Sequence, residues 1–458
     1  MNAQSVSKNA DSVTRELAGT KRVADFVVRT RYDELPRNVV ERVKICIMDT
    51  LGGALGAHKA RSVAILRQFA QELGGKEESS LIGIGAKVPC ATAAMVGCTM
   101  ANFLDVDDTA PHRGLHPGGM VIPPALAVAE RENSTGKSFI EAVVVGYEVS
   151  LRFAWQVDRA GLFRGSGLHG SFASAATAAK LLGLSREETA HALGIAGHHA
   201  PMPEIPRVNE GPMSKGCNGW GALNGVTAAL LAQKGFTGAS TVVDDAGADK
   251  SLLANLGEDY ELLNVAFKGH CCCRGLHGAV DGAIGLGQKH SLAAEDILAV
   301  KVELSSTSVS NYDWYRPRSV EQAQFSAPFT IASVLVDGKF GPEQSTEDRL
   351  SDDVILRLGD KVSVTHNAVL DSPTLNTYPA IVKIEAKGGK NYEIRVDVPK
   401  GDPGNPYSHE DLRAKFDSLV IPILGTNTTE KVVEYIENLE NLSDLSELIK
   451  LLSSATDR

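Results

Sequence analysis

Hydrophobic residues recur every three or four positions through the first half of the chain, the period of a helix that buries one face. The pattern is clear in "NVVERVKICIMDTLGGALGAH", which follows Pro36, and in "SFIEAVVVGYEVSLRFAW". The stretch "SFASAATAAKLLGLSREETAHALGIAGHHA" predicts two helices joined at Gly183, with Ser185 and Glu188 forming a capping box. "GWGALNGVTAALLAQKGF" is equally rich in small residues. Small residues let helices approach closely, so an all-α domain is predicted up to about Phe267.

From Lys268 onwards apolar and polar residues alternate, which indicates half-buried strands. Four stretches show this pattern: "ILAVKVELSST", "KVSVTHN", "AIVKIEAKGG" and "YEIRVDVPK". A helical stretch, "APFTIASVLVDGK", lies between the first two, and amphipathic helices follow the last. The sequence therefore predicts a mainly α protein. A large all-α domain (1–267 and 406–458) carries a smaller α+β lid domain (268–405), inserted before the C-terminal helices.

Composition and charge exclude a few classes of function. The 458 residues carry a net charge of -10 and no run of lysine or arginine, so no nucleic-acid partner is expected. No apolar run reaches the ~18 residues of a membrane span, and the polar N-terminal stretch lacks the apolar core of a signal peptide. Seven cysteines, an odd number, are expected to be reduced thiols. These features predict a cytoplasmic protein that does not bind membranes.

The first candidate site is the loop "LDVDDTAPHRGLHPGG", which leads into an alanine-rich helix. Its polar residues include Asp105, Asp107, Asp108, Thr109, His112 and His116. Backbone N–H groups at a helix start favour anions, and a histidine beside carboxylates can act as an acid or base near neutral pH. The alternative is a set of turns, helix caps and solvated carboxylates. The spacing matches no metal-binding motif, so no metal site is predicted.

Two further stretches place basic residues beside glycines. In "NEGPMSKGCNGWGALNG", Lys215 stands at the start of a helix, where a lysine is either solvated or directed into a cleft. In "KGHCCCRGLHGAVDG", three adjacent cysteines cannot all face one ion, and no second cysteine pair exists to complete a zinc or iron–sulfur site. The cysteines are therefore predicted to pack as small hydrophobes. The remaining candidates in this stretch are Lys268, His270, Arg274 and His277.

In their order along the chain, several stretches resemble the MmgE/PrpD family. They are "YDELPRNVVERVKICIMDTLGGALG", "LDVDDT…HPGG", "AAKLLGLS", "SKGCNGWGALNGVTAALLAQKGFTG", "FKGHCCCRGLHGAVDG", "FSAPFTIASVLVDGK" and "KGDPGNPYSHEDLRAKF". The family includes 2-methylcitrate dehydratase, cis-aconitate decarboxylase and iminodisuccinate epimerase. The resemblance implies a helical domain with a smaller α+β lid, a homodimer, and a site that uses neither a metal nor an organic cofactor.

The resemblance also implies which residues form the site. Asp105, Thr109 and His116 match the Asp-Thr-His of the family's first active-site loop, and Lys215 and Lys268 match two lysines of the same cleft. Catalytic roles are expected for Asp105, His116, Lys215 and Lys268. The expected substrate-binding residues are Thr109, His112, Tyr147, Arg164, His169, His277 and Phe329.

Two positions depart from the family's pattern. Arg164 stands where many members carry a histidine, with His169 five residues later. Phe329 stands where decarboxylases carry a pocket tyrosine. Losing a phenol and gaining a guanidinium, which can bind a carboxylate through two hydrogen bonds, changes the substrate groups that can be paired. These departures disfavour a cis-aconitate decarboxylase.

The expected substrate is a small di- or tricarboxylate, and the leading prediction is a dehydratase of 2-methylcitrate or a related hydroxy acid. His116, oriented by Asp105, would move a proton, while Lys215 and Lys268 would stabilise the charge that develops on a carboxylate. An epimerase and a decarboxylase are the alternatives within the same fold. Outside it, the Cys271–Cys273 cluster could bind a metal in a sensor, or the chain could be an inert scaffold.

Overall fold

The computed structural model of the protein describes residues 19–111, 113–153, 165–199, 212–245, 253–309, 312, 314–371 and 377–455. Two of the predicted substrate-binding residues, His112 and Arg164, lie outside the described residues. Most of the described chain forms a helical body, and a smaller α+β part lies before its last helices, as the sequence predicts. None of the described helices has the length and apolarity needed to cross a bilayer.

The first part of the helical body is built mainly from helices that pack on one another. They are α1 (Gly19–Arg29), α2 (Arg37–Gly56), α3 (Arg61–Leu73), α4 (Cys90–Phe103), α5 (Pro117–Glu132), α6 (Gly136–Phe153), α7 (Gly165–Leu181), α8 (Arg186–His199), α9 (Met213–Gln233) and α10 (Val242–Asp245). A short antiparallel pair, β1 (Ser79–Ser80) and β2 (Lys87–Val88), precedes α4. Helices α7 and α9 approach very closely, since a Cβ atom at Gly225 would lie 2.4 Å from the carbonyl oxygen of Ser171. Glycine is therefore required at this contact.

The elements predicted from the helical pattern are confirmed. The helix after Pro36 is α2, and the two helices predicted around Gly183 are α7 and α8. Gly183 has a φ angle of +63°, the left-handed conformation that commonly ends a helix. The capping box is present: Glu188 N donates to Ser185 Oγ (3.2 Å), and Ser185 N donates to Glu188 Oε2 (2.8 Å).

The α+β part combines a four-stranded sheet with helices. Its elements are α11 (His277–His290), β3 (Ile297–Leu304), α12 (Ser306–Val309), α13 (Val320–Gln324), α14 (Ala327–Asp337), α15 (Asp353–Gly359), β4 (Val362–His366), β5 (Ala380–Ala386) and β6 (Lys390–Val396). The strand order is β4-β3-β5-β6. Strands β3 and β4 are parallel, with Val300 opposite Val362, and the other pairs are antiparallel, with Val302 opposite Val382. Helix α11 packs on β5 and β6, and α14 contacts β4.

The chain then returns to the helical body through α16 (His409–Leu424), α17 (Thr426–Glu437) and α18 (Ser446–Leu452). Helix α16 packs along α2, where Gly52 and Gly56 leave room for Phe416 and Leu419. Helix α18 contacts α5. The predicted mainly α fold with a small α+β part is confirmed, while the exact boundaries at 267/268 and 405/406 stay predictions.

Candidate active site

A backbone pairing between two distant segments brings the predicted catalytic residues together. Thr109 and Ala266 form an antiparallel bridge, in which Thr109 N donates to Ala266 O (2.8 Å) and Ala266 N donates to Thr109 O (2.7 Å). The two segments of such a pair run in opposite directions, so the second residue after Ala266 lies across from the second residue before Thr109. Lys268 is thereby set across from Asp107, close to the start of the α+β part.

The turn that leads to His116 is closed by hydrogen bonds to one carbonyl group. The oxygen of Leu115 accepts from Ala110 N (2.8 Å) and from Thr109 Oγ1 (2.9 Å). His116 is the N-cap of α5, and Pro117 follows at the first helical position, where the missing N–H has no cost. The buried Thr109 hydroxyl therefore holds the turn that presents His116.

The ammonium group of Lys268 is fully buried among the side chains of the first loop. Its Nζ donates to Asp105 Oδ1 (2.6 Å) and to the Asp105 carbonyl oxygen (3.0 Å), and it lies 3.3 Å from Asp107 Oδ1. Asp105 has a φ angle of +53°, an uncommon left-handed conformation that aspartate tolerates better than most residues. In this conformation its carbonyl and its carboxylate both contact the same lysine.

Lys215 reaches the same carboxylate from α9. Its Nζ lies 3.5 Å from Asp105 Oδ2, while Lys268 contacts Oδ1. The ring of Phe325, from the α+β part, lies 5.3 Å from the Lys215 ammonium, within the range of a cation–π contact. The two lysines that the sequence singles out therefore share one aspartate. We call Asp105, Asp107, His116, Lys215 and Lys268 the charged cluster.

The protonation states of the charged cluster follow from burial and from the neighbouring charges. Burial alone would raise the pKa of Asp105, but Lys215 and Lys268 outweigh it and hold that pKa far below its usual range. Burial is outweighed in the same way at Asp107, where Lys268 and His116 lower the pKa. Burial would lower the pKa of Lys268, but Asp105 and Asp107 raise it above its usual value. Lys268 thus remains a cation and does not serve as a base at neutral pH.

His116 is the member of the charged cluster that reaches solvent, with 22% of its side chain exposed against 3% or less for the other four. Its Nδ1 lies 3.3 Å from both Asp107 Oδ1 and Lys268 Nζ. The carboxylate beside the imidazole is therefore that of Asp107, and the prediction from the sequence that Asp105 takes this place is wrong. Because Nδ1 faces the cluster, Nε2 is the ring nitrogen available for proton transfer to a ligand.

Two asparagines that the sequence analysis did not select lie beside the cluster. Asn102, in the last turn of α4, donates from Nδ2 to Asp107 Oδ2 (2.9 Å) and fixes that carboxylate. Asn218 is buried on α9, one turn after Lys215. The only sequence signal for either is its helical spacing from a neighbouring polar residue, which is too common to identify a site.

Asp108 and Tyr147 form a second buried pair behind the turn. Tyr147 OH donates to Asp108 Oδ2 (2.7 Å), and Gly118 N, in the first turn of α5, donates to Asp108 Oδ1 (2.8 Å). Burial, with the charge of Asp49, raises the pKa of Asp108 to about 7. Tyr147 was predicted to contact substrate, but it is fully buried and holds a carboxyl group that anchors the start of α5.

The returning helix α16 supports the same loop from behind. Lys415 donates to the carbonyl oxygen of Val106 (2.6 Å) and forms an ion pair with Asp49 Oδ1 (2.5 Å) on α2. Val106 lies between Asp105 and Asp107 in the sequence. Lys415, whose side chain is 12% exposed, therefore joins three parts of the chain at the position of the candidate site.

The structure places three other predicted substrate-binding residues in packed surroundings. His277 is fully buried, with Nε2 3.2 Å from the carbonyl oxygen of Cys272 and Nδ1 3.3 Å from Arg274 Nη1. Burial, followed by the charge of Arg274, holds the pKa of His277 well below its usual value, so it is neutral. The Phe329 ring packs edge-on against Phe340, and His169 is buried on α7. Through its contact with the carbonyl oxygen of Cys272, His277 therefore holds the cysteine segment in place.

The three adjacent cysteines have the environment of packed thiols. Cys271 and Cys272 are buried, and burial raises the pKa of Cys271 to about 12 and that of Cys272 well above its usual value. Cys273 Sγ lies 3.1 Å from Tyr312 OH, and burial raises its pKa as well. A thiol that stays protonated is a poor metal ligand, so these surroundings favour the packing interpretation over the metal-sensor alternative.

Ligand atoms of Asp105, Asp107 and His116 lie within 4.8 Å of one another, which is compatible with a metal site. The Lys268 ammonium, however, is 2.6–3.3 Å from all three residues. A fixed cation therefore already stands where a metal ion would have to bind. The donor set does not fit a metal centre.

A groove of about 1110 Å³ runs along the junction of the helical body and the α+β part. Its walls include Val106, Pro212, Cys271 and Lys415, which are neighbours of the charged cluster in sequence or in space. A groove at such a junction is a usual place for a small ligand, although none of the five residues of the charged cluster is among the described residues that line it. Buried, paired charges beside a partly exposed imidazole are typical of the active site of an enzyme.

The chain belongs to the MmgE/PrpD family, because residues 21–255 match the MmgE/PrpD N-terminal domain and residues 270–441 match the MmgE/PrpD C-terminal domain. The resemblance stated from the sequence is thereby confirmed. Human cis-aconitate decarboxylase is 28% identical over 440 residues, which cover 91% of this chain and 90% of that protein. A cis-aconitate decarboxylase-like protein of Aspergillus oryzae is 26% identical over 454 residues (90% and 92%). The cis-aconitate decarboxylase of Aspergillus terreus is 26% identical over 457 residues (92% and 91%).

Proposed function

We propose that the protein is a lyase that needs no metal or organic cofactor and decarboxylates a small tricarboxylate such as cis-aconitate. The observation that carries the proposal is the charged cluster, in which two ammonium groups share one carboxylate beside a partly exposed imidazole. The relatives named as cis-aconitate decarboxylases or as decarboxylase-like, each matched over about nine tenths of its length, support this reaction over the others that the family includes.

The lysines supply the positive charge that the reaction needs. Loss of carbon dioxide leaves an electron pair that is delocalised onto a neighbouring carboxylate, which then carries additional negative charge. Unit charges ~4 Å apart interact by roughly 4 kcal/mol at an effective dielectric of about 20. Lys268 is held tightly by Asp105, whereas Lys215 stands 3.5 Å from it. Lys215 is therefore the ammonium group better placed to turn to a substrate carboxylate.

His116 supplies the proton. The bond between the departing carboxylate and its carbon breaks, and its electrons form a new carbon–carbon double bond. The electrons of the former double bond move to the carbon beside a remaining carboxylate, and Nε2–H of the imidazolium protonates that carbon. Asp107, next to Nδ1, stabilises the imidazolium before the transfer and holds the Nδ1–H of the neutral ring after it.

The preference for dehydration in the sequence analysis depended partly on Phe329, which stands in place of a pocket tyrosine. Its ring is 1% exposed and packs against Phe340. Because the ring is packed in the interior, its identity is a weak argument against decarboxylation. Decarboxylation also needs only one proton donor, whereas dehydration needs a base for the carbon and an acid for the leaving hydroxyl.

The test is product analysis by NMR in D2O with cis-aconitate, 2-methylcitrate and citrate as separate substrates. We expect carbon dioxide and a product with one deuterium from cis-aconitate. Water loss from a hydroxy acid without carbon dioxide would show a dehydratase, and deuterium exchange at a stereocentre without net reaction would show an epimerase. Either result would replace the decarboxylase proposal.

Variants test the roles of the cluster. His116→Ala and Lys215→Ala should each lower kcat/KM by more than about a hundredfold, the usual size of a lost proton donor or fixed charge. Circular dichroism should show that both remain folded. Near-wild-type turnover in both variants would contradict the mechanism.

A further inference from the structure

Asn218 places an unused hydrogen-bond donor beside the charged cluster. It lies on α9 three residues after Lys215, so both side chains are on the same face of the helix. The residue is 1% exposed, and its Oδ1 accepts a weak hydrogen bond from Cys217 Sγ at 3.7 Å. Its Nδ2 is buried and makes no hydrogen bond within the part of the chain that the structure describes.

The amide lies close to the start of α5. The point where a Cβ atom of Gly119 would stand is 3.3 Å from Asp107 Oδ2 and 3.9 Å from Asn218 Nδ2. Gly119 follows His116 by three residues, so this is the region of the candidate site. Asp107 Oδ2 already accepts from Asn102. The conformation of Asp107 therefore does not depend on a hydrogen bond from Asn218.

A buried N–H group without an acceptor is destabilising, and native proteins keep few of them. Such a donor beside a binding site is accounted for when the ligand supplies the acceptor. We infer that Asn218 Nδ2 donates a hydrogen bond to a carboxylate oxygen of the bound substrate, next to the charge of Lys215. This inference rests on the proposed function, since it takes a polycarboxylate as the ligand.

The amide differs from the lysines in what it can recognise. An ammonium group attracts any anion, whereas the amide N–H needs an acceptor at one position and in one direction. Asn218 is therefore a specificity-determining residue, whose loss weakens the binding of a carboxylate that is placed correctly. An asparagine with a purely structural role would instead stabilise the ligand-free protein.

The experiment measures binding of tricarballylate, the saturated analogue of cis-aconitate, by calorimetry and thermal shift. Asn218→Ala should weaken binding about 10- to 100-fold, the range for a lost hydrogen bond to a charged group. Asn218→Asp, which keeps the shape, should weaken it further by repulsion. The melting temperature of ligand-free Asn218→Ala should equal or exceed that of the wild type, because the unpaired donor is gone. The control is Asn224→Ala on the same helix, whose amide donates to the carbonyl oxygen of His199 (2.9 Å) and should not affect binding.

The outcomes separate this inference from the proposed reaction. Unchanged binding in Asn218→Ala, or a wild type that does not bind tricarballylate, overturns the inference. A large loss of stability in ligand-free Asn218→Ala with unchanged affinity would show a structural role and overturns it as well. If the variant loses affinity while the wild type releases no carbon dioxide from cis-aconitate, the inference stands and the proposed reaction fails.

Discussion

Asp108 is a buried carboxyl group whose proton links the stability of the fold to pH. Its pKa of about 7 is raised by burial and by Asp49, while an unfolded aspartate has a pKa of about 3.9. Because the folded value is the higher one, the stability that this group contributes is fully present below about pH 4 and is lost as the pH rises through about 7. Asparagine resembles the protonated form of aspartate, so Asp108→Asn should not lose stability as the pH rises.

Urea unfolding between about pH 5 and 8 measures this effect. The free energy of unfolding of the wild type should fall relative to that of Asp108→Asn as the pH rises. Asp353→Asn, the same change at an exposed position, is the control and should give a curve parallel to the wild type. A constant difference between the wild type and Asp108→Asn would contradict the assignment.

At the scale of single residues, the sequence predicted the members of the site better than their partners. Asp105, His116, Lys215 and Lys268 were selected, and the structure joins them in one network. The partner of the imidazole was assigned differently, because the left-handed backbone at Asp105 directs its carboxylate to the lysines. Spacing does not reveal such a conformation.

Buried polar residues were the other difficulty at this scale. Tyr147 and His277 have the polar groups that a pocket needs, yet both are fully buried and bind groups of the protein itself. A polar side chain in an apolar stretch satisfies its hydrogen bonds either with a ligand or with the protein, and the sequence pattern is the same in both cases.

The start of α8 offers a test at the scale of one element. Ser185 and Glu188 hydrogen-bond each other's backbone N–H groups. Ser185→Ala should lower the free energy of unfolding by about 1 kcal/mol, as loss of an N-cap does, and should leave catalysis unchanged. Ser418→Ala on α16 is the control, because that hydroxyl only donates to the carbonyl of Lys415 within the helix and its loss should have little effect. Equal effects of both changes, measured in urea, would contradict the prediction.

Whole elements were predictable because their patterns are local. Helices α8 and α14 and strands β3, β4 and β5 lie within the stretches that the periodicity selected, and α2, α7 and β6 begin before theirs and overlap them. The pairing of Thr109 with Ala266 was not predictable, because a single bridge between loops has no pattern of its own. That bridge nevertheless decides where Lys268 lies.

At the scale of the whole molecule, Lys415 joins the C-terminal return to the candidate site. Lys415→Met would leave the buried Asp49 carboxylate without its partner and remove the donor to Val106. Breaking a buried ion pair in this way costs about 3–5 kcal/mol. The free energy of unfolding at neutral pH should therefore fall by that amount.

The double variant Asp49→Asn/Lys415→Met also removes the negative charge of the unpaired Asp49 carboxylate, so it should recover most of the lost stability. Urea unfolding of the wild type, the two single variants and the double variant gives the coupling between the residues. If the double variant is no more stable than Lys415→Met alone, the ion pair does not hold α16 in place as described.

The arrangement of the whole chain was predictable in outline, because the change from helical to alternating pattern marks the α+β part and the last helices resume the first pattern. The contacts that join these parts were not predictable. Lys415 lies far from Asp49 along the chain, and nothing in either segment identifies the other. The homodimer that the family resemblance implies stays a prediction.

The bridge between Thr109 and Ala266 has a consequence for how the chain can change during evolution. Successive side chains of an extended segment point to opposite sides, so adding or removing one residue between Ala266 and Lys268 would turn the ammonium away from Asp105 and Asp107. Loops elsewhere in the protein can lengthen at little cost, but the length of this short connection is fixed by the electrostatics of the site. Relatives that keep the chemistry should therefore vary here in residue type and not in residue number.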